Sequence, residues 1–223
     1  MLRFLLAVSA VLAIAYGFLG YDMYGGGAPY VFPAAFKASS IVILGIVALM
    51  AGPRLLAAGL LFGALGDALL AWSHEAFLYG ALAFLIGHLC YITLFVRHGA
   101  GIRAALHDRT RLGLLVLTVL AALVASRLTP QDSPMFVPLG VYSGVLTLMV
   151  LSSYTLPWTR WLAMAGAVLF FISDGFVAWN MFHHDPDPTL AFWRSFAGWM
   201  IYWAGQAGLC FGALALRRAP TQA

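Results

Sequence analysis

Residues 159–180 read TRWLAMAGAVLFFISDGFVAWN. A run of ~20 apolar residues is what an α-helix needs to cross the hydrocarbon core of a bilayer, and a single acidic side chain, Asp174, interrupts this one. The stretch is not isolated. Comparable runs lie near residues 2–20, 31–51, 53–72, 76–96, 111–128, 135–155 and 192–216, separated by short polar or Pro/Gly-bearing breaks. Tyr21 to Tyr30 contains Gly25-Gly26-Gly27 and Pro29, Gly52-Pro53 makes a tight break, and His183 to Pro188 reads HHDPDP. The expectation is an all-α polytopic membrane protein, a bundle of eight transmembrane helices forming one domain over residues 1–223.

The composition of the whole chain agrees. Apolar residues make up 63% of its 223 positions and charged residues 9%, against about a quarter charged in soluble domains. Too few polar residues remain to cover a water-facing surface, so the exterior must meet lipid. No Lys/Arg cluster interleaves with exposed aromatics, which argues against nucleic-acid binding. Cys90 and Cys210 both sit inside apolar runs and read as buried thiols, not as a disulfide framework.

The net charge of +4 is a matter of topology. With the amino terminus cytoplasmic, the inner side collects Arg3, Arg54, Arg97, Arg103, Arg109, Arg111, Arg160, Arg217 and Arg218, and the outer side only Arg127 and Arg194. Basic residues favour the cytoplasmic side, so both termini are expected there, and the short loops suit a bacterial inner membrane. The first run resembles a signal peptide around Ala13-Ile14-Ala15, but its apolar stretch reaches Gly20, longer than a usual signal core. It is read as a retained span. Trp72, Trp158, Trp161 and Trp193 fall near span ends, as an interfacial belt requires. Gly59-x3-Gly63 and Gly208-x3-Gly212 are spacings that let helices approach closely.

Ionisable side chains within a span cost roughly 2.5–3.5 kcal/mol each at its centre, and they mark functional sites by default. Three occur here, Lys37, Asp67 and Asp174, accompanied by His88, Tyr91, Ser173, Asn180, Tyr202 and Gln206. Lys37 lies six residues after Val31, Asp67 five before Trp72, and Asp174 six before Asn180. At 1.5 Å rise per residue all three stand ~8–9 Å below the outer boundary. His88 and Tyr202 start deeper. Helical side chains lean toward the helix amino terminus, so those on inward-running spans lean outward, the two aspartates lean inward, and the sets converge. His88 with Tyr91, and Tyr202 with Gln206, share helix faces. A single polar pocket in the outer half of the bundle follows.

Plainer readings compete with this. Lys37 and one aspartate suffice for a structural ion pair, although one lysine leaves the second aspartate unexplained. His88 alone reads as a hydrogen-bonded core residue, and Tyr202 and Gln206 as support for a site. The His183-His184-Asp185 stretch looks like a metal site but reads better as a solvated loop; neither a metal nor a cofactor is expected.

The runs Leu61 to Leu70 (LFGALGDALL), Phe84-x-x-Gly87-His88-x-x-Tyr91, Pro138-x3-Tyr142, Gly166 to Asp174 (GAVLFFISD) through Asn180, and Tyr202-x3-Gln206 resemble the YhhN family of membrane proteins. Lys37 sits where that family carries a lysine in its second span, with Ala38 where proline often follows. The resemblance covers nearly the whole chain in order. It implies lysoplasmalogenase activity: hydrolysis of the vinyl ether bond of a lysophospholipid to a fatty aldehyde and a glycerophospho-ethanolamine or -choline. It also implies that Asp67 and Asp174 are catalytic.

That chemistry suits the residues. A vinyl ether is opened by protonating its terminal alkene carbon, and water captures the resulting oxocarbenium ion. The reaction needs an acid still protonated near neutral pH and an anion or base facing the cation. Two buried carboxyls supply both when one is neutral and the other ionised. Lys37 would hold one carboxylate ionised or bind the lipid phosphate; Tyr91, Tyr202 and His88 would orient water or the glycerol backbone. The rival reading is a non-enzymatic transporter or proton-coupled carrier, followed by a lipid sensor and a metal-dependent hydrolase.

Overall fold

The structure, a computed structural model, describes residues 1–23, 31–183 and 186–216. Nine α-helices occur among them: α1 (Leu2–Met23), α2 (Val31–Ala51), α3 (Arg54–Trp72), α4 (Phe77–His98), α5 (Gly101–His107), α6 (Arg109–Ala125), α7 (Phe136–Ser153), α8 (Trp161–Phe182) and α9 (Pro188–Ala213). Eight are long and correspond one for one to the eight apolar runs. Six of these, α1–α4, α7 and α8, are long and apolar enough to cross a membrane by length and composition. Helix α6 is short at 17 residues, ~26 Å against a core of ~30 Å, and α9 is long but less apolar. The chain is a multi-pass membrane protein.

Where the boundaries depart from the apolar runs, capping explains the difference. Asp108 accepts from the backbone N–H groups of Thr110 and Arg111 at 2.9 and 3.2 Å, so α6 starts at Arg109. Asp187 does the same for Thr189 and Leu190, with Pro188 in the first turn, so α9 begins at Pro188 and not near residue 192. A carboxylate aimed at the unsatisfied N–H groups of a first turn, with proline where no donor is needed, sets such starts. The short α5 has no counterpart among the apolar runs. The Gly25–Gly27 break, His184, Asp185, Arg217 and Arg218 lie outside the described residues.

Helices α2, α3 and α4 pack side by side, α1 leans on α2 and α9, and α8 packs along α9. The α8–α9 contact is backbone on backbone. A Cβ placed on Gly166 would stand 2.5 Å from the Leu209 amide nitrogen and 2.6 Å from the Gly205 carbonyl oxygen. Gly208 and Gly212 serve packing, as their spacing predicts. The first helix is tied in by polar contacts: Ser9 donates to the Ser40 carbonyl at 2.7 Å, Trp203 to Ser9 at 2.9 Å, and Trp199 to the Ala13 carbonyl at 2.8 Å.

Helix α7 is buried mainly along its carboxy-terminal half. Leu146, Met149, Val150 and Ser153 are buried, whereas Val137 and Val141 are exposed. Its amino-terminal half lines a cavity together with the α3 end at Trp72. The tryptophans Trp72, Trp158, Trp161 and Trp193 are all exposed near helix ends, where a belt places them. Both cysteines are free thiols.

At the opposite end a second polar cluster ties α6 to the α7–α8 turn. The Arg111 side chain, buried, donates to the Tyr154 carbonyl at 3.0 Å, lies 3.3 Å from the Asp108 carboxylate and sits over the Trp158 ring. Trp158 donates its indole N–H to Asp108 at 2.9 Å. That bond, followed by the backbone N–H of Arg111, holds the Asp108 carboxyl below its usual range.

Candidate active site

The cavity at the Trp72 end has a volume of about 1220 Å³, above the ~300–1,000 Å³ of ordinary small-molecule pockets and of a size for a single-chain lipid. Its lining is largely apolar, with Lys37, Asp67, Tyr142, Ser173, Asp174 and Tyr202 as a polar group in its wall. Val141 and Val177 line it and are both exposed.

Asp67, on α3, is buried and acts as the end point of a hydrogen-bond chain. Tyr202 donates to its Oδ2 at 2.7 Å, Gln206 Nε2 donates to the Tyr202 hydroxyl at 3.1 Å, and Tyr91 donates to Gln206 Oε1 at 2.8 Å. Lys37 Nζ stands 3.9 Å from Asp67 Oδ1, an ion pair longer than a hydrogen bond, and 5.8 Å from the centre of the Trp199 ring. Gly59 and Gly63 make this chain possible. A Cβ on Gly63 would lie 2.6 Å from Gln206 Nε2, and one on Gly59 would lie 2.5 Å from the Tyr91 ring. The Gly59-x3-Gly63 spacing, read from the sequence as helix packing, clears room on α3 for the two side chains that support Asp67.

Asp174, on α8, has a separate arm. Tyr142 on α7 donates to its Oδ2 at 2.5 Å, and the same hydroxyl lies 3.1 Å from His88 Nε2 on α4. No ion pair reaches Asp174 among the described residues. His88 Nδ1 is buried and has no hydrogen-bond partner among them. Phe170 lies between the two arms, edge-on to His88 at 4.8 Å and to Tyr202 at 5.2 Å between ring centres. Such edge contacts are worth ~0.5–1.5 kcal/mol beyond burial, and they fix both rings against one support. Both carboxyls line the same cavity.

Of the residues expected at a site, Lys37, Asp67, Tyr202, Gln206 and Tyr91 form one network, and His88 and Asp174 belong to the other. Gln206 and His88 are buried one hydrogen bond behind the wall, and Tyr91 two; they connect to it through Tyr202 and Tyr142. Ser173 donates to the Phe170 carbonyl at 2.6 Å. Asn180 is apart from both networks: at the cavity rim it accepts from Arg194 Nε at 2.6 Å and faces Ser195 at 3.4 Å. Tyr142 and Trp199 are additions to the expected set. Tyr142 lies six residues after Phe136, the same ~9 Å that places Lys37 and Asp174, but in the sequence only the Pro138-x3-Tyr142 motif singles it out. Among the described residues no group of three or more His, Cys, Asp or Glu side chains could hold a metal ion.

The profile of the YhhN family matches residues 32–213. The chain is 35% identical over 162 residues to "Lysoplasmalogenase TMEM86B" of Rattus norvegicus, which covers 72% of this chain and 61% of that protein. It is 34% identical over 191 residues to "Lysoplasmalogenase" of Mycobacterium tuberculosis, covering 80% of this chain and 70% of the relative. Against "Lysoplasmalogenase TMEM86A" of Homo sapiens the figures are 32% over 134 residues, 56% and 52%. The chain thus spans less than two thirds of the length of these vertebrate relatives. No solved structure matches it.

Proposed function

The chain belongs to the YhhN family, and from that membership we propose that it is a membrane-embedded hydrolase cleaving the vinyl ether bond of lysoplasmalogens, with Asp67 and Asp174 as an acid/base pair. The observation that carries the reading is the arrangement of these carboxyls. They come from different helices, meet in the wall of one lipid-sized cavity, and have unlike surroundings: Lys37 stands beside one, while the other is bonded to Tyr142 and has no ion pair among the described residues. Unlike surroundings are what let one carboxyl act as acid while the other stays ionised. The names of the mycobacterial and rat relatives supply the substrate class.

In this reading the lysolipid enters from the bilayer. Its chain occupies the apolar part of the cavity, its vinyl ether lies level with the carboxyls, and its head group points to the Asn180 rim. With both termini cytoplasmic, as the basic residues favour, the site serves the outer leaflet, and short loops suit a bacterial inner membrane. A proton-coupled carrier needs a polar route across the whole bilayer, whereas the charged groups here cluster at one level.

The test is aldehyde release from lysoplasmalogen by the purified protein in detergent, beside Asp67→Asn and Asp174→Asn. Release by the wild type and its loss from both monodisperse variants is the expected result. A folded wild type that releases no aldehyde, or two variants that both retain turnover, would overturn the proposal.

A further inference from the structure

The two aspartates are not interchangeable, and the direction of the hydrogen bonds around them separates their roles. Tyr202 has one hydroxyl proton. Because Gln206 Nε2 donates into that hydroxyl, the proton of Tyr202 is directed at Asp67. The Gln206 amide is itself oriented: the buried Tyr91 hydroxyl donates to its oxygen, and the opposite orientation would leave the Tyr91 proton without a partner among the described residues. Every donor in the chain therefore points toward Asp67, whose other oxygen faces Lys37. Both oxygens are set to accept, the state of a carboxylate.

The arm at Asp174 has no such fixed sense. The Tyr142 hydroxyl stands between Asp174 Oδ2 and His88 Nε2. Imidazole Nε2 donates in one tautomer and accepts in the other, and the partner of the far nitrogen ordinarily selects between them. Here that nitrogen, Nδ1, has no partner among the described residues, so no protein acceptor or donor imposes a tautomer. With no ion pair to it among the described residues, Asp174 can hold a proton and release it while Tyr142 remains hydrogen-bonded throughout.

We infer that Asp174 is the acid that protonates the vinyl ether, that Asp67 is the resident carboxylate that activates water, and that Tyr142, backed by His88, is the positioning residue that receives the charge formed on Asp174. The assignment rests on the hydrolase reading above. Asp174 passes its proton to the alkene carbon remote from the ether oxygen. The π electrons form the new C–H bond, and the adjoining carbon becomes an oxocarbenium ion. The short bond from Tyr142 strengthens as the Asp174 carboxylate appears, a stabilisation greater after proton transfer than before it. Asp67 takes a proton from water as the water oxygen bonds to the cationic carbon, giving a hemiacetal. In its collapse the hemiacetal hydroxyl proton returns to Asp174, the carbon–oxygen bond to glycerol breaks, and Asp67 gives its proton to the departing oxygen. Both carboxyls regain their starting states.

Deuterium exchange separates the two steps. In D2O, protonation followed by its reversal places deuterium on the alkene carbon remote from oxygen in unreacted lysoplasmalogen, read by mass spectrometry, whereas aldehyde release reports both steps. Asp67→Asn should lose aldehyde release and keep measurable exchange; Asp174→Asn should lose both. The reverse pattern, or loss of exchange in a folded Asp67→Asn, would overturn the assignment. Milder variants repeat the test if either aspartate variant fails to fold. Tyr142→Phe should lower exchange and hydrolysis in the same proportion, ~10-fold or more, and Tyr202→Phe should lower hydrolysis more than exchange. Equal effects of the two tyrosine variants on the ratio of exchange to hydrolysis would also overturn it. A wild type showing neither exchange nor release removes the vinyl ether reading itself, a result distinct from either pattern among the variants.

Discussion

Tyr202 donates a 2.7 Å hydrogen bond to Asp67 across 135 residues of sequence, joining the last helix to the third. The bond ties a residue read as support to one read as catalytic, and it makes the surroundings of Asp67 a product of helix packing. Gly63, one turn before Asp67, supplies the space in which the next member of the chain, Gln206, reaches Tyr202.

Gly63→Ala should therefore disturb activity through Asp67. The added methyl meets the Gln206 amide, and crowding of this kind costs ~1–3 kcal/mol. Turnover is expected to fall by about 10-fold or more while the variant stays folded. Unchanged turnover with an unchanged melting temperature would show that the chain to Asp67 tolerates displacement of Gln206.

Lys37→Met removes the cation facing Asp67. Mutations that delete an electrostatic partner of a reacting group typically cost ~10²–10³ in kcat, and a loss of this order is expected here. Lys37→Arg should retain more activity than Lys37→Met. Equal activity of the methionine variant and the wild type, measured with lysoplasmalogen, would place Lys37 outside the reaction.

The Asp108 cluster gives a pH dependence away from the cavity. The Trp158 indole N–H and the α6 backbone amides lower the carboxyl of Asp108 in the folded state. A group lowered in this way contributes stability that is complete above the unfolded value, near 3.9, and is lost as pH falls through the folded value. The melting temperature of Asp108→Asn should lie below that of the wild type at neutral pH, and the difference should close under strong acid. A difference that does not change with pH would assign the effect to side-chain shape.

The proposed topology is open to labelling. In a variant without Cys90 and Cys210, Gln131→Cys should react with a membrane-impermeant maleimide in intact cells, and Arg103→Cys only after permeabilisation. The opposite pattern would invert the orientation and place the cavity in the inner leaflet.

Lys37, Asp67 and Asp174 stand out in the amino-acid sequence because each is costly in lipid and counting from helix ends puts them at one depth. Tyr142 does not: an aromatic residue in an apolar run carries no comparable cost, and the sequence marks it only as part of a resemblance. His88 and Tyr91 are legible as polar and inward, yet both stand behind the cavity wall. Distance from a helix end says nothing about distance from the cavity axis.

The apolar runs by themselves determine that the chain crosses a membrane, where its long helices fall and how deep its charged residues lie. These are one-dimensional quantities, fixed by the thickness of a hydrocarbon core and the 1.5 Å rise of a helix. The tertiary structure alone decides that Lys37 faces Asp67 and that Asp174 is bonded to Tyr142, because partner choice depends on how each helix is rotated about its axis. That rotation comes from contacts between helices distant in sequence, such as the backbone approach at Gly166 and the room left at Gly59 and Gly63.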